Sequence, residues 1–394
     1  MSYETITNSL LLPELKVVGH TFTTRAFSYY HCEKASKMEV CPQCATPSQS
    51  VYDRRLVVIK DAPVRDKTIF LKIRKRRFWC KPCQKPFTES IQGITKGHKT
   101  TQRLKRSIHW ACENFSDLEK VRKHFRVSSG FIFKTYYEHL ERRRKTRLYD
   151  WPKTIGIDEH SFRRNRRLGI TEFATVLVDY PNRRVMEVVD GKSGPALSLQ
   201  LAHIPGRENV RNVIVDLCDP FKNFTREYFP NARLIADKFH VLRLLNPAIN
   251  RRRKEMTGDQ RTNPIRRLLL RNGYRLNYFQ RFAISEWLVE HPELREIYHT
   301  KEWLHRFYRI TSSKHAAKVL TKMTDTLAFS KIPELLTLRK TLMKWRKEIL
   351  AYFETRLTNG RTEGFNNLAK LVQRRAFGYK NFKNYRLRLL NACA

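Results

Sequence analysis

Two Cys-x-x-Cys turns, Cys41-Pro-Gln-Cys44 and Cys80-Lys-Pro-Cys83, limit what the first part of this chain can fold into. Each turn aims two thiolates at one point, and two such turns complete a tetrahedral zinc site. A coincidence of free thiols or a redox pair is the alternative, but the doubled spacing favours metal. Four thiolates leave no open position. The sequence therefore predicts one structural Zn²⁺ on Cys41, Cys44, Cys80 and Cys83. Between the turns lie the β-like runs Leu56–Ile59 and Ile69–Ile73. They predict a zinc ribbon with an inserted hairpin. Eight cysteines in a long, very basic chain do not resemble a secreted disulfide scaffold, so a reducing intracellular setting is expected.

The charge narrows the partner. Among 394 residues, 78 Lys and Arg face 37 Asp and Glu, a formal net charge of +41. Self-repulsion on that scale destabilises a compact chain unless a polyanion neutralises it, which points to nucleic acid rather than a small-molecule substrate. A membrane is not expected, because Lys or Arg interrupts every apolar stretch well short of about 18 residues. Met1 to Leu12 lacks the pattern of a secretory signal. Between the cysteine pairs runs Leu71-Lys-Ile-Arg74-Lys-Arg76-Arg-Phe-Trp79. On a strand, alternation sets some of these cations on one solvent face, and Arg74 and Arg76 are candidate phosphate contacts.

The sequence signals change in blocks. Residues 1–95 read as the zinc-ribbon domain and 96–150 as a helical DNA-binding domain. Residues 151–246 alternate short β-runs with helices, 247–358 read as helical throughout, and 359–394 as a last basic helical segment. In the second block Ser116-Asp-Leu-Glu119 has capping-box spacing, followed by a Leu118, Val121, Phe125 stripe. A turn at Arg126–Ser129 precedes a second stripe of Phe133, Tyr137 and Leu140. Helix, tight turn, helix in a basic chain is the pattern of a helix-turn-helix. Ser129, Gly130 and Lys134 would then face a major groove, and Arg143 with its basic neighbours would face the phosphate backbone.

Three β-runs in the third block end in an acid: Ile155-Gly-Ile-Asp158, Val213-Ile-Val-Asp216 and Leu234-Ile-Ala-Asp237. With Phe173–Val178, Val185–Val189 and helices at Leu197–Ile204 and Phe221–Tyr228, the order is three antiparallel-compatible strands, helix, strand, helix, strand. That is the order of a ribonuclease-H-like α/β fold. Mg²⁺ (or Mn²⁺) prefers hard oxygen ligands, and two such ions held by carboxylates can activate a hydroxyl and stabilise the leaving oxygen at a phosphate. Asp158 and Asp216 supply two acids. A third must come from later, and Glu363 in Gly360-Arg-Thr-Glu363-Gly-Phe-Asn-Asn is the best placed. It opens a helix whose stripe reads Phe365, Leu368, Val372, and Lys370, seven residues on, shares its face as a candidate DNA contact.

Together these motifs, with Asp237-Lys-Phe-His240-Val and Arg374-Arg-Ala-Phe377-Gly378-Tyr379-Lys-Asn-Phe382, resemble the bacterial insertion-sequence DDE transposases of the ISL-three family over nearly the whole chain. The resemblance implies a ribonuclease-H-like core interrupted by an all-helical insertion at 247–358. It also implies Mg²⁺-dependent cleavage and strand transfer at terminal inverted repeats, with transposon-end and target DNA as substrates. Work on two ends implies a homodimer, and the setting is the bacterial cytoplasm at the nucleoid. Asp216 and Asp237 both end β-runs. In related transposases the middle acid is followed about twenty residues later by a Cys or Asp and then x-x-His, which selects Asp216 and leaves Asp237 and His240 as a supporting pair. Asp219 is a weaker candidate. Two other readings explain part of the chain: a DNA-binding regulator without catalysis, and a resolving nuclease on the same core.

Overall fold

The computed structural model describes residues 3–10, 14–146, 149–165, 169–257 and 264–393. The chain divides into two compact units, Met1–Lys145 and Thr146–Ala394.

In the first unit, helix α1 (Tyr3–Leu10) precedes strands β1 (Leu15–Thr24) and β2 (Phe27–Lys34), the short pair β3 (Glu39–Val40) and β4 (Pro47–Ser48), and the long strands β5 (Val51–Val64) and β6 (Lys67–Cys80), followed by β7 (Lys85–Thr88). The sheet order is β1-β2-β6-β5, with β7 also on β6. The expected hairpin is present and longer than its apolar runs suggested. Its turn places Arg65 and Asp66 at φ 49° and 63°, the left-handed pair of a type I′ turn, whose twist matches the strands. Leu15, Val17, Cys32, Ile59, Ile69, Leu71 and Ile73 form its buried face.

Three helices complete this unit: α2 (Gln102–Asn114), α3 (Leu118–Phe125) and α4 (Ser129–Lys145). Sequence blocks separated ribbon from helices near residue 95, but the two pack as one body. Buried Asp61 of β5 accepts from Thr101 Oγ1 and Arg103 Nε at 2.7 Å each, and Lys60 Nζ donates to the carbonyls of Phe125 and Arg126 that end α3. A buried carboxylate demands such partners, so the join is specific.

One helix cap shifts by one residue, and one expected stripe loses a member. Asp117, not Ser116, caps α3 by accepting from Lys120 N at 2.8 Å, and Glu119 turns to Arg122 rather than closing a box. In α4 the buried side chains are Ile132, Thr135, Tyr136, Tyr137 and Leu140, whereas Phe133 is 45% exposed. Tyr137 and Leu140 are buried as expected, and Ile132 rather than Phe133 is the buried apolar residue of the first turn.

The second unit is built on β8 (Thr154–Asn165), β9 (Ile170–Asp179), β10 (Arg184–Asp190), β11 (Asn212–Val215) and β12 (Arg233–Ala236), in the order β10-β9-β8-β11-β12. The first three are antiparallel, and β8, β11 and β12 run parallel. Helices α5 (Gly194–Leu201) and α6 (Asp219–Tyr228) make the two crossovers. Strands β11 and β12 are short apolar runs because both their faces are covered. Alternation along β9 sends Leu177 to one core, with Ile155, Ile157, Phe221 and Phe224, and Val176 and Val178 to the other.

After α7 (Lys238–Arg243) the described residues form a helical stretch: α8 (Asn246–Thr257), α9 (Pro264–Leu270), α10 (Tyr278–Val289), α11 (Pro292–Phe307), α12 (Ser313–Ala328), α13 (Pro333–Lys344) and α14 (Arg346–Thr355). Its core is continuous with that of the sheet: Leu294, Leu304, Leu320, Leu335 and Ile349 belong to one cluster with Val215 and Ile235. Buried Glu348 of α14 pairs with Lys222 of α6 at 2.9 Å. The chain then returns in α15 (Gly360–Arg375) and α16 (Phe382–Ala392), which cover Val176, Val178 and Val188 with Ala369, Val372, Tyr385 and Leu389. Among the described residues no helix is long and apolar enough to cross a membrane.

Candidate active site

Asp158 does not end its strand, as the sequence suggested. Strand β8 continues to Asn165, but its parallel pairing with β11 stops at Ile157 opposite Val215. Asp158 and Asp216 are thus the first residues beyond the point where the two strands part. Asp237 follows β12 in the same way, and its N–H still donates to Val215 O. A mouth between parting parallel strands is where such sheets hold ligands.

The three acids and Glu363 line one cleft of about 380 Å³ with His160, His240, Asn359, Asn366, Asn367 and Lys370. Glu363 lies in the first turn of α15 and Lys370 two turns on, and both are exposed as their shared face requires. Burial, and then the charge of Asp216, push the Asp158 carboxyl up to about 8. Crowded, half-buried carboxylates of this kind hold either protons or cations.

His240 bridges the other two acids, with Nε2 2.9 Å from Asp216 Oδ2 and Nδ1 3.2 Å from Asp237 Oδ2. Its bonds to Asp216 first and Asp237 second raise it to about 10, so it is held as the cation. Asp216, Asp237 and His240 have ligand atoms close enough together to hold an ion. The two acids differ in freedom. Asp237 is 3% exposed, and its other oxygen accepts from Asn359 N at 2.9 Å, whereas the Asp216 side chain is 14% exposed. Asp219 pairs with Lys344 at 2.5 Å instead and is absent from the cleft wall.

Two asparagines were missed as site residues although both stand beside the Glu363 motif. Asn359 donates from Nδ2 to Ile157 O and to Asp216 Oδ1, at 3.2 Å each, tying the start of α15 to β8 and β11. Asn366 donates to Asp158 Oδ2 at 2.6 Å and faces His160 Nδ1 at 3.2 Å through its carbonyl, while His160 Nε2 meets Tyr385 OH at 2.5 Å. Burial lowers His160 to about 4 and keeps it neutral. This pattern assigns its proton to Nδ1, with Tyr385 donating to Nε2. The spacing of Asn359, Thr362, Asn366 and Ala369, one helical face, was the available signal. The stripe expected from Phe365, Leu368 and Val372 is only half right, since Phe365 and Leu368 are partly exposed. Gly156 permits the approach of α15: a Cβ there would lie 2.3 Å from Thr362 Oγ1 and 2.9 Å from Asn359 Oδ1.

In the first unit, Cys41, Cys44, Cys80 and Cys83 converge. The sulfurs of Cys44 and Cys80 are 3.4 Å apart, and those of Cys41 and Cys83 4.0 Å. A tetrahedron with Zn–S near 2.3 Å needs sulfurs about 3.8 Å apart, so the donor set fits zinc. Both turns end in a left-handed residue, Ala45 at φ 57° and Gln84 at φ 52°, so the two halves match in backbone as well.

The proposed DNA contacts divide. Ser129, Gly130 and Lys134 are exposed on the first turns of α4. Arg74 is largely exposed, 3.3 Å from Glu33, and Arg143 pairs with Glu113 at 3.1 Å. Arg76 does not offer a free cation. Its guanidinium holds buried Glu89 at 2.8 Å and also donates to Ser36 O. Strand alternation alone did not reveal that β7 leads Glu89 back across β6.

A family model described as a transposase of the ISL3 group matches residues 155–389, more than half of the chain, and spans the acids and the helices α8–α14. The chain belongs to this transposase family. A second model, the zinc-finger of transposase IS204/IS1001/IS1096/IS1165, matches residues 37–83. The chain is 24% identical over 378 residues to the transposase for insertion sequence element IS1001 of Bordetella parapertussis, covering 93% of this chain and 91% of the relative. It is also 24% identical over 261 residues to the transposase for insertion sequence element IS1557 of Mycobacterium tuberculosis, covering 58% and 57%. The chain is therefore a DDE-type transposase. The family places the four converging thiolates in its zinc finger, and a structural zinc follows from both.

Proposed function

We propose that this transposase binds the terminal inverted repeats of its own insertion sequence and cuts and joins DNA there with two Mg²⁺ (or Mn²⁺) held by Asp158, Asp216 and Glu363. The observation that carries this is the convergence of the three carboxylates in one cleft with Lys370 beside them. Such ions, when bound, activate the attacking hydroxyl and stabilise the leaving oxygen. The chain's own residues prepare the site. Asn366 orients Asp158, Asn359 orients Asp216, and His240 ties Asp216 to Asp237. Asp237 acts as a positioning residue, since buried backbone already occupies one of its oxygens. Lys370 holds phosphate.

The sheet order, three antiparallel strands followed by two parallel ones, supports a ribonuclease-H-like reading of the core. The capped pair α3 and α4 supports a helix-turn-helix, with Ser129 and Lys134 toward the bases and Arg74 and Arg143 toward phosphates. Two ends imply a homodimer acting in the bacterial cytoplasm at the nucleoid. A regulator without catalysis has no use for this cleft. The test is end cleavage by full-length Asp158→Ala, Asp216→Ala and Glu363→Gln. Each is expected to abolish cutting while end binding persists, because cations supply most DNA affinity. Normal cutting by all three would overturn the proposal.

A further inference from the structure

Helix α15 ends in a way that the packing of the protein does not explain. Gly378 N donates to Gln373 O at 2.9 Å and Phe377 N to Arg374 O at 3.0 Å, the paired bonds of a Schellman C-cap. The left-handed position of that cap favours glycine, yet Phe377 occupies it at φ 52°, one residue before Gly378. Its side chain is 92% exposed. The residue is therefore unfavourable twice over, in backbone conformation and in apolar surface left in water, and neither is repaid by folding. Such outliers point to a contact made with something else.

The position indicates what that is. At 100° per residue, Glu363, Asn367, Lys370 and Arg374 fall within about 30° of one line along α15, and Phe377 follows just past the end of the helix. All five are exposed, and the first three line the acid cleft. Lys380 is exposed just beyond. From Glu363 to Arg374 the stripe runs about 17 Å, and with Phe377 three residues further on it matches roughly six stacked base steps. One helix face thus begins at the acids and continues through two exposed cations suited to phosphates, and the uncovered ring of Phe377 stands at the end of that helix. We propose that DNA leaving the cleft lies along this face and that Phe377 wedges between its bases, unstacking one step roughly six from the reacting phosphate. Apolar side chains open base steps in this way when cations hold the flanking backbone. The inference rests on the reading that this cleft is where DNA is cut.

The experiment uses the full chain with Glu363→Gln to stop chemistry and a duplex of the element's own end. 2-Aminopurine, bright when unstacked, is placed at successive positions. Wild-type contacts in this background are expected to give one fluorescence maximum roughly five to seven steps from the cut. Adding Phe377→Gly should remove the maximum and weaken end binding roughly five- to hundredfold, the range for loss of one stacking contact. Its melting temperature should hold or rise, because glycine suits the left-handed position. Phe377→Trp should restore the maximum. A maximum that survives Phe377→Gly, or one that Phe377→Trp fails to restore in a folded chain, overturns the wedge. No maximum at any position, with cutting still dependent on Asp158, also overturns it and leaves the acid site standing. A Phe377-dependent maximum with cutting indifferent to Asp158 would uphold the DNA contact and sink the acid reading instead.

Discussion

Asn366 donates to Asp158 at 2.6 Å from a helix that begins some two hundred residues later in the chain, and its carbonyl is met by His160 of Asp158's own strand. The amide therefore spends both its groups on holding one carboxylate in place. Asn366→Ala should leave His160 Nδ1 buried without a partner, costing about 1–3 kcal/mol, and should slow end cleavage while sparing end binding. Thermal melts and single-turnover cleavage check this. Wild-type cleavage in a folded Asn366→Ala protein would remove Asn366 from the site.

The assignment of the middle acid separates by stability. Asp237 is the more buried and accepts from a backbone N–H, so Asp237→Asn should lower the melting temperature as well as the rate. Asp216→Asn should leave the fold nearly intact and abolish metal-dependent cutting. Cutting that survives Asp216→Asn but not a stably folded Asp237→Asn would move the ligand to Asp237.

The pH dependence has a definite sign. Asp158 is raised to about 8 and His240 to about 10. A raised pKa contributes stability that is complete below the unfolded value and lost as pH rises through the folded one. For Asp158 that window runs from 3.8 to about 8, and for His240 from 6.5 to about 10. Metal-free protein should therefore melt at progressively lower temperature from about pH 5 to about pH 9. Mg²⁺ should flatten the lower part of that slope by taking the place of the Asp158 proton, with proton uptake or release measurable by calorimetry in buffers of different ionisation enthalpy. A melting temperature that climbs with pH in the absence of metal would contradict this arrangement.

The acids were legible in the sequence because an apolar β-run that stops at a carboxylate is a local pattern. Where each strand stops was less so. Asp158 reads as a strand end because its neighbour in space, β11, ends there, and the chain itself runs on to Asn165. The asparagines were hidden for the opposite reason. Asn359 and Asn366 act through a helix docked on β8, and a single sequence does not say which amide will face which carboxylate. Arg76 looked like its neighbours Arg74 and Lys75, and only the pairing of β6 with β7 commits it to Glu89. In α4 the sequence stripe named Tyr137 and Leu140, which are buried, and missed Ile132, because two adjacent apolar residues at the start of a helix do not say which one faces the core.

Zinc should be present at one ion per chain. Cys41→Ser with Cys44→Ser should release it and lower the stability of the ribbon, whose two turns have few other links: among the described contacts, β3 and β4 are two residues each. Elemental analysis and a chelator-dependent melt measure this. Stoichiometric zinc retained by the double variant would exclude the four-thiolate site.

Arg76 and Lys134 should fail in different ways. Arg76→Ala leaves Glu89 buried and uncompensated, so it should destabilise the first unit by about 3–5 kcal/mol, and any loss of DNA binding should track unfolding. Lys134 is exposed on α4 and touches no core, so Lys134→Ala should leave the melt unchanged and reduce the preference for end DNA over random DNA. Arg74→Ala, at a largely exposed strand position, should weaken binding to both DNAs alike and reduce the steepness of its salt dependence by about one charge. The comparison is made by titrating each full-length variant against both duplexes at several salt concentrations. If Lys134→Ala weakens both equally while another exposed residue of α4 carries the preference, the helix is docked in a different register. If no α4 variant changes the preference, end recognition lies outside this helix pair.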